Sequence, residues 1–150
     1  MEPPKVKILF LCTGNSCRSQ MAEGWARQLK RDVVEAYSAG ISPQGLNAHA
    51  VRVMAEAGVD ISHQRSKHVD ELRGIDFDYV VTVCDDAYEA CPVFPGRARV
   101  VPVPFDDPPR LAAQAGTEEE ALAHYRRVRD QIRQFVQKLP EELEQRSTGQ

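Results

Sequence analysis

VKILFLCTGNSCRS, residues 6–19, runs from an apolar stretch into a short polar loop and then straight into a helical pattern. Val6 to Cys12 lacks the alternation of a half-exposed strand and reads as a strand buried on both faces of a parallel sheet. The run breaks at Thr13-Gly14-Asn15-Ser16. After Arg18-Ser19, apolar residues recur at Met21, Ala22, Trp25, Ala26 and Leu29, the spacing of an amphipathic helix.

Further along the chain the same alternation continues. A second strand is expected over Val33–Ser38, ended by Ala39-Gly40, and a second helix over Asn47–Ala57 with Gly58 as its stop. Tyr79–Val83 reads as a third strand and Arg99–Val103 as a weaker fourth, restricted by Pro102 and Pro104. Asp85 to Cys91 suits one or two helical turns. Leu122, Tyr125, Val128, Ile132, Phe135 and Leu139 form the apolar stripe of a last helix, with Thr117 as its cap and Glu120 completing a capping box. The polar tail after about Pro140 is expected to fray. Strands alternating with helices imply an α/β fold, a four-stranded parallel sheet with helices on both faces, in one domain spanning residues 1–150. Ligands of such sheets bind beyond the carboxyl ends of the strands, where Cys12 and Cys84 both fall.

A net charge of −3 and a pI near 5.8 argue against a nucleic-acid or anionic-membrane binder, which needs a basic surface. KVKILFLC at the N-terminus has no signal cleavage pattern and falls short of the ~20 apolar residues of a membrane span. The chain reads as cytoplasmic. Its four cysteines are spaced with four residues between Cys12 and Cys17 and six between Cys84 and Cys91, neither of them the two-residue gap of zinc ribbons.

The loop Thr13, Gly14, Asn15, Ser16, Cys17, Arg18 and Ser19 is placed to hold an oxyanion. Amides at a helix start favour anions, Gly14 permits backbone angles that chiral residues resist, and Arg18 adds a planar fork for two oxygens. The same field is expected to depress the pKa of Cys12, making it a nucleophilic thiolate, with Ser19 offering a hydroxyl to that sulfur or to the leaving atom. The plainer reading, Cys12 as a strand end and Arg18 in a surface ion pair, leaves the glycine, the flanking elements and the hydroxyl unexplained. Proton transfer to a leaving oxygen needs an acid, and Asp106 and Asp107 are both candidates; Pro108 restricts Asp107 to an extended backbone.

The C-x5-R-S loop after the first strand resembles the active-site loop of the low-molecular-weight protein tyrosine phosphatases. The wider run CTGNSCRSQMAEGWA resembles the thioredoxin-coupled arsenate reductases of that fold. So do YSAG at Tyr37–Gly40, VTVCDDAYEACP at Val81–Pro92, FDDP at Phe105–Pro108 and RVRDQI at Arg127–Ile132. The resemblance covers Val6 to about Leu139. It implies that Cys12 attacks arsenate, Cys84 attacks Cys12 with release of arsenite, and Cys91 captures Cys84, leaving a disulfide for thioredoxin to reduce. It selects Asp107 as the acid and implies a monomer with no tightly bound cofactor. If Asp85 to Ala90 is helical, Cys84 and Cys91 are roughly 10 Å apart by helical rise, beyond the about 4.4 to 6.8 Å between Cα atoms of a disulfide, so the segment must unwind on oxidation.

In similar enzymes a potassium ion sits behind the loop, and Asn15, Glu23 and Ser38 match that site. Lys67 stands where some relatives carry an aspartate, so its ammonium is expected to neutralise the carboxylate in place of the ion. Asn15 is expected to brace the loop, Cys17 to be accessory, and His49, His63, His68 and His124 to serve surface or packing roles. Trp25 reads as core. The alternative function is a tyrosine or small-molecule phosphatase, although FDDPP lacks the aromatic pair that such phosphatases often carry. A third reading is a non-catalytic oxyanion sensor.

Overall fold

The computed structural model describes residues 4–85 and 98–148. Cys91 and the expected helical turns beyond Asp85 lie outside the described residues. In chain order the elements are β1 (Val6–Cys12), α1 (Arg18–Leu29), β2 (Val34–Gly40), α2 (Ala48–Glu56), a 3-10 turn (Val69–Leu72), β3 (Tyr79–Thr82), β4 (Arg99–Pro102), α3 (Pro108–Ala112), α4 (Glu118–Val136) and α5 (Glu141–Thr148).

All strand pairs are parallel, in the order β2-β1-β3-β4. With β1 inside the sheet, Ile8 to Leu11 have no exposed surface, so neither face required polar residues. Cys12 pairs with Gly40, Leu11 with Thr82 and Thr82 with Pro102, so the four carboxyl ends finish together. The chain leaves β1 for β2 on one side and returns to β3 on the other. A crevice opens at that switch point, and Cys12 and Cys84 flank it. β4 is an edge strand with Arg99, Val100 and Pro102 exposed, a place where proline is tolerated.

Helix α1 packs on β1 and β2 and against α4, which also receives α2 and α3. The expected stripe of α4 is buried from Leu122 through Leu139. Trp25 is core as expected, its indole N–H donating to the Arg129 carbonyl at 3.2 Å. Asn47 caps α2, and Gly58 follows it with φ +86°.

Two expectations need correction. Thr117 accepts from the Glu120 N–H at 3.1 Å, but the Glu120 carboxylate reaches the N–H of Gly116 at 2.9 Å, one residue upstream of a reciprocal capping box. Nor does the chain fray at Pro140. Residues 141–148 form α5, whose Leu143 is fully buried and whose Arg146 guanidinium lies 5.8 Å from the Phe135 ring centre. One apolar side chain among polar neighbours was too weak a period to read as a helix.

Candidate active site

The loop between β1 and α1 is held from outside by residues 41–47. The N–H groups of Ile41, Ser42, Gln44 and Asn47 donate to the carbonyls of Cys12, Thr13, Gly14 and Ser16 at 3.3, 2.8, 2.9 and 2.9 Å. With these carbonyls turned outward, the loop amides are left to the inside of the cup. Helix α1 begins there without a side-chain cap, so no side chain competes with an anion for its first amides.

The loop's left-handed residue is Asn15, at φ 47°, the residue expected to brace the loop, and not Gly14. Asn15 tolerates that region because its side chain bonds locally. Fully buried, it donates to Ser19 Oγ at 2.8 Å and accepts from Gln20 Nε2 at 3.1 Å and the Lys67 N–H at 3.0 Å. Ser19, expected beside the Cys12 sulfur, is seen as a buried acceptor for Asn15. Gly40 matters by contact. A Cβ there would lie 2.7 Å from the Thr13 carbonyl oxygen and 3.0 Å from the Asn15 nitrogen.

Cys12, Arg18, Cys84 and Asp107 converge on one cleft of about 390 Å³, whose lining also includes Thr13, Gly14, Ser16 and Cys17. Arg18 Nη1 donates to the Phe105 carbonyl at 2.9 Å, and Nη2 is 3.7 Å from Asp107 Oδ2. The guanidinium thus spans the loop after β1 and the segment Phe105–Asp107. Cys84, just beyond the end of β3, lines the cleft with Cys12 and lies 3.5 Å from Thr13 Oγ1. Cys12, Cys17 and Cys84 are all free thiols.

These neighbours reverse one expectation. The Cys12 pKa stands above the usual thiol range, first because of the hydrogen bond with Cys84, then burial, then repulsion from a Cys84 thiolate. Arg18 and the Gly14 N–H pull it back down without prevailing. The second thiol and the loss of water thus outweigh the field of the loop at this sulfur.

With this geometry in place, the model of the low molecular weight phosphotyrosine protein phosphatases matches residues 7–148. The chain belongs to that phosphatase family. It is 52% identical over 125 residues to an arsenate reductase of Bacillus subtilis (strain 168), covering 83% of this chain and 88% of the relative. An arsenate reductase of Bacillus licheniformis is 48% identical over 137 residues, covering 91% and 96%. Among solved structures, an arsenate reductase in the oxidized state aligns with TM-score 0.74 at 29% identity, covering 93% and 96%. An arginine phosphatase from Geobacillus stearothermophilus aligns with TM-score 0.70 at 25% identity, covering 93% of each chain. The phosphatase fold expected from the motifs is therefore the fold found.

Within this family fold the two aspartates separate. Asp106 is 3.3 Å from Arg127 Nη2 and lines only an adjoining cleft beside Arg18 and Cys84, while Asp107, the residue before α3, lines both. Cys17 is buried, and burial pushes its thiol up to about 12. Behind the loop, Ser38 Oγ donates to Glu23 Oε1, and Arg27 Nη2 is 2.8 Å from Glu23 Oε2. Arg27, not Lys67, is thus the direct partner of the Glu23 carboxylate. Lys67 donates to the Arg65 carbonyl at 3.0 Å, and burial lowers its pKa despite attraction from Glu23. Among the described residues, no group of three or more His, Cys, Asp or Glu side chains is arranged to hold a metal, no helix is long and apolar enough to cross a membrane, and none of the histidines lines the cleft.

Sequence reading missed the outer supports. Besides residues 41–47, Ser66 Oγ donates to the Gly14 carbonyl and accepts from the Gly45 N–H, both at 3.2 Å. These segments carry no motif, and their only signal is the polar stretch after a strand ending in glycine.

Proposed function

We propose that this protein reduces arsenate to arsenite. The reading rests on one observation above the rest, a second thiol, Cys84, lining the same cleft as Cys12 and the loop that would hold the oxyanion. Phosphate-ester hydrolysis needs one nucleophile and an acid. Reduction of arsenate needs two electrons, which two thiols supply on becoming a disulfide.

Arsenate enters with its oxygens toward the loop amides and Arg18. Cys12 passes its thiol proton to an arsenate oxygen as its sulfur attacks arsenic, while Asp107 protonates the departing oxygen, which leaves as water. Cys84 then attacks the Cys12 sulfur. The S–As bond breaks with its electron pair remaining on arsenic, and arsenite departs as the 12–84 disulfide forms. Cys91 attacks Cys84, releasing Cys12 and leaving an 84–91 disulfide. Thioredoxin restores that pair by thiol exchange, and the enzyme works as a cytoplasmic monomer.

The test is a single turnover of fully reduced protein with arsenate and no reductant, followed by thiol counting and peptide mapping. The expected result is loss of two thiols with Cys84 joined to Cys91, and no loss in a phosphate control. Four unchanged thiols in folded protein would overturn the reading in favour of a phosphatase, for which the same cup, Arg18 and Asp107 would serve.

A further inference from the structure

Tyr125 is a stripe residue of α4, yet its hydroxyl reaches the oxyanion loop through one intermediary. The phenol oxygen accepts from Asn47 Nδ2 at 3.1 Å, and the ring stacks on His49 with centroids 5.0 Å apart and 22° between planes. Asn47 is in turn held at two other atoms. Its Oδ1 accepts from the Ala50 N–H at 3.0 Å, which fixes the amide orientation so that Nδ2 faces α4, and its own N–H donates to the Ser16 carbonyl at 2.9 Å. The Ser16 carbonyl and the Cys17 N–H belong to one planar peptide group. Turning the carbonyl out toward Asn47 therefore turns the N–H into the cup.

We infer that Tyr125 is a positioning residue for oxyanion binding, acting through Asn47 on the Ser16–Cys17 peptide. Packing alone would be served by phenylalanine, because the ring is almost wholly buried. The hydroxyl adds the bond that ties α4 to the loop. This inference rests on the cup being an oxyanion site, whichever oxyanion it processes.

The experiment measures the Kd of inorganic phosphate by calorimetry, and KM and kcat for arsenate, in wild type, Tyr125→Phe, Asn47→Ser and the double variant. Serine at position 47 keeps a helix-capping oxygen and the main-chain N–H but removes the amide donor. Each single variant should weaken phosphate binding by about fivefold to tenfold, the worth of one hydrogen bond. KM should rise in parallel, with kcat held within about twofold. The double variant should lose no more than either single one. His49→Leu, which removes the stacked ring but leaves the hydroxyl, should keep the phosphate Kd near wild type even if it lowers Tm. An unchanged Kd in Tyr125→Phe, additive losses, or an equal loss in His49→Leu would overturn the inference. Should Tyr125→Phe fail to fold, Asn47→Ser against His49→Leu decides it. Wild type that binds phosphate but reduces no arsenate would sink the reductase reading and leave this one standing.

Discussion

Cys12 ends β1 and Cys84 follows the neighbouring strand β3, so the Cys12 sulfur does not ionise as an isolated thiol. Removing Cys84 deletes the largest cause that raises the Cys12 pKa and leaves the pull of Arg18 and the Gly14 N–H. Cys84→Ala should therefore shift the rise of Cys12 alkylation to lower pH. The measurement is the iodoacetamide rate at the Cys12 peptide against pH, and a profile unmoved or moved upward would contradict the assignment. Asp107 and Asp106 test the acid in the same way. Asp107→Asn should lower kcat by about 10²- to 10⁴-fold, the usual contribution of a general acid. Asp106→Asn loses only an exposed ion pair to Arg127 and should stay within about twofold. Equal losses in steady-state turnover would mean that the sequence-adjacent pair had been divided wrongly.

At the scale of elements, the strand, loop and helix of residues 6–29 were legible because each announces itself locally. An apolar run needs burial, and a spacing of three to four needs a helix. The supports of the loop were not legible, since residues 41–47 and 64–67 act through main-chain groups and short polar side chains that any polar segment contains. Their contribution is exposed by Gly40, where β2 passes so close to the loop that a methyl group would meet the Thr13 carbonyl oxygen at 2.7 Å. Gly40→Ala should cost about 1–3 kcal/mol in urea unfolding, the range for overpacking, and should also weaken phosphate binding because the loop must shift. Gly74→Ala, with nothing within 4 Å of the new methyl, is the control and should change stability little. A tolerated Gly40→Ala with unaltered phosphate affinity would show that the loop yields without cost.

For the whole molecule, the C-terminal segment that looked like a polar tail belongs to the core. Leu143 is fully buried, and α5 lies against β4 and Phe135. Leu143→Ala should destabilise the fold by about 2–4 kcal/mol, read as a lower Tm; a change below about 0.5 kcal/mol would restore the picture of a frayed end. From the sequence alone came the α/β class, the loop from Cys12 to Ser19 with its candidate nucleophile and Arg18, the candidate acids Asp106 and Asp107, and the family resemblance, because hydrophobic period and motif spacing are local properties of the chain. Tertiary structure alone decided that Asn15 and not Gly14 carries the left-handed turn, that residues 41–47 support the loop, that Arg27 matches Glu23 and that Leu143 is core. Each of these depends on which distant groups meet and how much water they lose, and neither quantity is written in the order of neighbouring residues.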